Sequence, residues 1–173
     1  MARNIEIKAR IDSVDALMDT VAAIADKGPV GIRQDDTFFA CPNGRLKLRA
    51  FSQDEGELIY YVRENQAGPK ESFYLRSPTT APDTLRDSLT LAYGQVGRVR
   101  KHRLLFLAGR TRVHLDRVEG LGEFLELEVV LADGEGPEAG VQEARGLLAK
   151  LGIWKSQLVE ESYVDLLGRR WNP

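Results

Sequence analysis

Arg45-Leu46-Lys47-Leu48-Arg49 alternates without a break: three cations fall on one side of an extended chain and two leucines on the other. Period two is the signature of a strand with one face in an apolar layer. An ordinary half-exposed sheet would show the same in any one strand. The pattern gains meaning from its repetition. Arg3 to Ile11 puts Asn4, Glu6, Lys8 and Arg10 on one parity and Ile5, Ile7, Ala9 and Ile11 on the other. Arg112, His114 and Asp116 share a parity, and Glu126 and Glu128 stand against Leu125, Leu127 and Val129.

Outward from these segments, the chain reads as about eight strands. They are Arg3–Ile11, Ile32–Cys41, Arg45–Ser52, Glu57–Arg63, Glu71–Ser77, Val96–Leu107, Thr111–Val118 and Glu123–Leu131. Turn formers such as Pro42-Asn43-Gly44 and Asp54-Glu55-Gly56 separate successive strands, which favours antiparallel hairpins. Helices are expected from Val14 to about Ile24, stopped by Gly28-Pro29, from Pro82 to Tyr93, and from Pro137 to Leu151. A further helical segment is expected near Ser156–Leu167, with Trp154 and Trp171 anchoring the C-terminal stretch.

The 173 residues carry a net charge of −2, so no global positive field draws the protein to nucleic acid or to an anionic membrane. One cysteine, Cys41, excludes an intramolecular disulfide framework, and with only His102 and His114 beside it a closed Cys/His zinc site is not expected. No apolar run is long enough to span a membrane, and MARNIEIKAR lacks an apolar signal core. The expectation is one cytosolic domain over residues 1–173. Gly120-Leu121-Gly122 is a turn, since neither a phosphate-loop motif nor a helix follows it.

Amphipathic helices need an apolar surface to cover. If they sit on the apolar strand faces, the charged faces point the other way. Eight antiparallel strands can close into a barrel, which removes exposed edges and places the charged faces inside. The expected fold is therefore α+β: a closed eight-stranded antiparallel β-barrel with helices packed on the outside. The inward set would hold Lys8, Arg10, Arg45, Lys47, Arg49, Arg63, Arg76, Lys101, Arg103 and Arg112, with Glu6, Asp116, Glu126 and Glu128 as the acids. At about 5 Å and an effective dielectric near 20, each like-charge pair costs roughly 3 kcal/mol. A polyanion would relieve this, and phosphate suits both Arg and Lys. The carboxylates call for hard cations: Mg²⁺ or Mn²⁺ binds carboxylates, waters and phosphate oxygens together. Glu126 and Glu128 lie about 7 Å apart on one strand face. His114 suits a lining or a structural role equally.

These residues resemble the CYTH superfamily, the triphosphate tunnel metalloenzymes, whose members include class IV adenylate cyclases, thiamine triphosphatase and inorganic triphosphatases. The family's N-terminal ExExK strand is represented by Asn4-Ile5-Glu6-Ile7-Lys8, with Asn in place of the first Glu. Further similarity runs through Gln34-Asp35-Asp36-Thr37-Phe38-Phe39, Gly44–Arg49, Leu58–Arg63, Val99–Arg103 and His114–Glu128, closest to the class IV cyclase-like branch. The resemblance implies a triphosphate tunnel with metal-binding acids Glu6, Asp116, Glu126 and Glu128. It implies phosphate-binding bases Lys8, Lys47, Arg49, Arg63, Lys101, Arg103 and Arg112, with Lys8, Glu6, Glu126 and Glu128 at the chemistry and Arg10, Arg45, Arg76 and Lys70 weaker matches. The function implied is metal-dependent hydrolysis of a triphosphate compound. Two alternatives stand beside it: cyclisation of ATP to cyclic AMP and pyrophosphate, and binding of a phosphorylated ligand without turnover, to which Asn4 lends weight. A small triphosphate or nucleotide is the expected partner, with neither nucleic acid nor membrane, and a homodimer is compatible with the sequence.

Overall fold

The alternating segments form one closed ring of strands. The computed structural model describes residues 2–171, and the side chains of residues 2–169. In chain order the elements are β1 (Ala2–Ile11), α1 (Val14–Ile24), β2 (Lys27–Phe39), β3 (Arg45–Ala50), β4 (Gly56–Arg63), β5 (Lys70–Thr79), α2 (Pro82–Tyr93), β6 (Gln95–Ala108), β7 (Thr111–Val118), β8 (Gly122–Val130), α3 (Pro137–Lys150) and α4 (Tyr163–Trp171). The strands close as β1-β5-β4-β3-β2-β6-β7-β8, all neighbours antiparallel. The expected barrel is present.

The larger of the two apolar core clusters among the described residues lies outside this ring. Ile5 and Ile7 of β1, Val113 and Leu115 of β7, and Leu125, Leu127 and Val129 of β8 pack against Val14 and Val21 of α1 and Ala144 and Leu148 of α3. Each such side chain contributes roughly 1.5–3 kcal/mol on burial, so this layer fixes which face of each strand points inward. Ser13 caps α1 by accepting from the Ala16 amide at 3.2 Å. Gly140 lets α3 lie close on β1 and the segment after β8: a Cβ there would come within 2.8 Å of both Ile5 Cγ1 and Leu131 Cδ2.

Two boundaries differ from expectation. Gly28-Pro29 does not stop α1. The helix already ends at Ile24, where Ala25 turns extended, and Gly28-Pro29 sits inside β2, at a bulge between Lys27 and Val30. The C-terminal segment is not one helix. A short 3-10 turn over Lys155–Gln157 is followed by an extended stretch that bridges Leu158 to Ala9, and α4 starts only at Tyr163. Trp154 is 75% exposed, so its ring is not packed into the core, and its backbone N–H donates to Gln157 Oε1 at 2.8 Å; the Trp171 side chain lies outside those described. Among the described residues no helix is long and apolar enough to cross a membrane.

Candidate active site in the barrel

The inner faces enclose a cavity of about 280 Å³. Strand alternation carries Glu6 and Lys8 from β1, Lys47 and Arg49 from β3, Arg63 from β4, Lys101 and Arg103 from β6, Arg112 from β7 and Glu126 and Glu128 from β8 to its wall. Arg76 reaches the wall too, but in a two-bonded pair with Glu57 (2.7 and 3.1 Å). Arg10 and Arg45 share the inward parity yet do not line the cavity. Their strands run out at the barrel's end. Arg10 lies over the Phe124 ring at 4.8 Å, and Arg45 turns to Ser162 (2.9 Å) and Asp165 (2.7 Å) beside α4.

The charges are organised in clusters along the bore. Asp36 meets Arg49 through two hydrogen bonds of 2.8 Å, Lys101 at 3.2 Å and Lys47 at 3.4 Å. Burial alone would raise its carboxyl, but the three cations hold it well below the usual carboxylate range. Burial in turn pushes the Lys101 ammonium down to about 7 against the pull of Asp36, with Arg49, Arg103 and Lys47 adding to the fall. Burial likewise brings Lys47 to about 8. Asp116, fully buried, takes two bonds of 2.7 Å from Arg103 and a third of 2.7 Å from the Tyr163 hydroxyl. Its oxygens are thus committed to neighbours, and it does not join the other acids at the cavity wall.

Glu126 lies 3.3 Å from Lys8 and 3.4 Å from Arg103. It stays ionised against burial, chiefly through Lys8. Glu128 pairs with Arg112 at 2.8 Å. Glu6 stands directly opposite Glu128 in the β1–β8 register. Burial, Glu128 and Glu126 together push its carboxyl up to about 6, although Arg63 lies 3.7 Å away. Three acids crowded on one wall favour a cation between them. Ligand atoms of Glu126, Glu128 and His114 all fall within 4.8 Å of one another. Among the described residues, buried polar atoms without hydrogen-bond partners are Asn4 Oδ1, Gln34 Oε1, Arg63 Nε and Nη2, and His114 Nδ1. Such groups are costly unless a ligand meets them. Donors facing inward suit an anion, and the carboxylate–imidazole group suits a divalent cation.

Several residues were missed in the sequence. Asp36 lies in the Gln34–Phe39 motif but outside the expected set of inward acids, although it shares parity with Gln34 and Phe38. Tyr163 comes from beyond the last strand: its ring meets Phe124 edge-on at 4.9 Å and lies 3.8 Å from Lys8 Nζ. With Phe38, Val99, Val118 and Leu121 it builds an apolar cluster at the end of the barrel where α4 lies. Lys70, a weaker match to the tunnel bases, holds the chain before α4 by donating to the carbonyls of Gln66 (3.2 Å) and Glu160 (2.9 Å).

Comparison with known proteins agrees with this geometry. The family model described as CYTH domain matches residues 2–163. Adenylate cyclase CyaB of Aeromonas hydrophila is 28% identical over 169 residues, covering 94% of this chain and 87% of that protein. Among solved structures, the PH1012 protein of Pyrococcus horikoshii OT3 superposes with a TM-score of 0.84 at 21% identity, over 94% of this chain and 98% of that one. The Hippeastrum protein HpAC1, described as having a dominant triphosphatase activity, gives 0.64 at 18% identity over 97% and 95%. At such identities the two structures attest the fold.

Proposed function

The chain belongs to the CYTH domain family, and from that premise we propose that it is a divalent-metal-dependent enzyme that binds a triphosphate compound in the barrel and hydrolyses it. One observation carries the reading: Lys8, Lys47, Arg49, Arg63, Lys101, Arg103 and Arg112 converge on one cavity inside the barrel, whose lining they share with Glu6, Glu126 and Glu128. The volume of about 280 Å³ is at the lower limit of small-molecule sites and fits a chain of phosphates better than a whole nucleotide. An organic group on that chain would project from the barrel.

Arg49, Lys47 and Lys101 lie where charge on phosphate oxygens would be neutralised, and Arg63 offers two unpaired N–H groups for the same purpose. Glu126 and Glu128, with Glu6 opposite, would hold Mg²⁺ or Mn²⁺, and Asn4 offers a buried carbonyl oxygen nearby in the lining. The bound ion would supply positive charge beside the reacting phosphoryl oxygens. Asp116 we assign to positioning Arg103 and Tyr163 rather than to metal. Lys8, its ammonium pushed down by burial beside Glu126, is the group we assign to proton handling. In the reaction a water oxygen bonds to the terminal phosphorus and gives up a proton through Lys8, the bridging P–O bond breaks with its electron pair staying on the bridging oxygen, and orthophosphate separates from the diphosphate, which keeps any organic group. The partner is a small molecule, neither nucleic acid nor membrane, and the compartment the cytosol.

A second reading is supported by the 28% identity to a protein named adenylate cyclase. There the ribose 3′-oxygen of ATP would attack the α-phosphate and release pyrophosphate. Incubation with tripolyphosphate, thiamine triphosphate and ATP in Mg²⁺ or Mn²⁺, followed by assay of orthophosphate and cyclic AMP, tests both. Orthophosphate supports the hydrolase and cyclic AMP the cyclase. Thermal stabilisation by these compounds without any product would leave a binding protein.

A further inference from the structure

His114 sits in β7 directly opposite Glu126 of β8, and its neighbour Arg112 stands opposite Glu128. The imidazole is 4% exposed. Its Nδ1 faces both carboxylates, 3.5 Å from Glu126 Oε1 and 4.0 Å from Glu128 Oε1, and makes no hydrogen bond among the described residues. A histidine serving only as packing would normally satisfy this nitrogen. Here a lone pair on Nδ1 would point at two anions, and a proton on Nδ1 would stop short of a good hydrogen bond. A metal ion shared by the three atoms resolves the conflict.

We infer that His114 is a nitrogen ligand of the bound ion, and that the set His114, Glu126 and Glu128 selects a first-row transition ion such as Mn²⁺ or Co²⁺ over Mg²⁺. The inference rests on the metal-dependent reading above and deepens it. Sites made of oxygen donors alone suit Mg²⁺, whereas an imidazole adds most for the later ions of the transition series. Asn4 acts in the same direction, because it removes one of the negative charges that a hard ion would use.

The probe is Mn²⁺ added to the purified protein without any triphosphate, read by pulsed electron paramagnetic resonance. The expected result is nitrogen modulation on bound Mn²⁺ that changes pattern when the protein carries ¹⁵N-histidine. It is lost in H114Q and kept in H102Q. Calorimetry should give affinities rising from Mg²⁺ to Mn²⁺ to Co²⁺, with the gap between Co²⁺ and Mg²⁺ narrowing by about tenfold in H114Q. Bound Mn²⁺ without nitrogen coupling, coupling that survives H114Q, or no Mn²⁺ binding would each overturn the inference. The ¹⁵N-histidine-labelled H102Q protein, in which His114 is the one histidine of the sequence, decides the matter even if H114Q fails to fold. Nitrogen-coupled Mn²⁺ in a protein that turns over no triphosphate would uphold His114 as ligand and sink the enzymatic reading. Turnover with oxygen-only Mn²⁺ would do the reverse.

Discussion

Asp36 and Arg49 face each other across the β2–β3 ladder and share two hydrogen bonds of 2.8 Å, so an internal carboxylate occupies the centre of the basic cluster. The same carboxylate serves Lys47 and Lys101. Replacing it by Asp36→Asn leaves three buried cations without their counter-charge. Removing one partner of a buried pair costs about 3–5 kcal/mol. The expected outcome is an unfolding free energy from urea titration lowered by that amount in polyanion-free buffer, and a larger rise in Tm on adding tripolyphosphate than the wild type shows. A variant as stable as the wild type would mean that the cluster does not depend on Asp36.

Lys101 sets a pH dependence. Its folded pKa of about 7 lies below the ordinary 10.5. Between those values the unfolded chain binds the proton and the folded one does not. Its contribution to stability is therefore fully present above 10.5 and is lost as pH falls towards 7. Ligand binding runs the other way, since a phosphate beside Lys101 favours the charged form. Affinity for tripolyphosphate should fall as pH rises from 7 to 9, by up to about tenfold per unit for each group that must gain a proton. Calorimetry at pH 8 in two buffers of different ionisation enthalpy should show proton uptake, reduced in Lys101→Met.

The strands and the inward cations were legible because alternation is a local property. Arg45-Leu46-Lys47-Leu48-Arg49 needs no partner to show which side is apolar, and Ile5, Ile7, Leu125 and Leu127 do pack outward under α1 and α3. The ends of strands were not legible. Parity continues through Arg10 and Arg45, but the bore does not. What pairs with what was hidden as well. Asp36 reaches Lys101 only because β2 lies between β3 and β6, and Tyr163 reaches Asp116 only because the extended stretch before α4 folds over the barrel's end. Parity puts His114 on the inner face but cannot show that its Nδ1 lacks a hydrogen-bond partner among the described residues.

Glu128→Gln keeps the shape of the side chain and removes one charge from the candidate metal group. The loss of a metal ligand removes several kcal/mol of transition-state stabilisation, which corresponds to roughly 10²–10³ in rate. Turnover of the preferred triphosphate should fall by that factor. Metal-free affinity for tripolyphosphate should hold or rise, because Arg112 loses its carboxylate partner and one repelling charge is gone. A variant with wild-type turnover would remove Glu128 from the chemistry.

Tyr163 lines the bore at the end where α4 lies through two separable contacts, and two substitutions divide them. Tyr163→Phe deletes the 2.7 Å hydrogen bond to Asp116 but keeps the ring beside Phe124 and Lys8. A hydrogen bond to a charged group contributes about 1.5–3 kcal/mol, and Asp116 retains both bonds from Arg103, so a loss at the lower end is expected. Tyr163→Ala also removes the ring from the apolar cluster, where truncating a buried aromatic costs about 3–5 kcal/mol. It opens the end of the barrel to water as well. The Ala variant should therefore lose triphosphate affinity beyond its loss of stability, because water screens the Lys8 and Lys101 charges it now reaches. The Phe variant should bind as the wild type does. Urea unfolding with calorimetric titration separates the two effects, and equal binding in both variants would show that the plug is structural only.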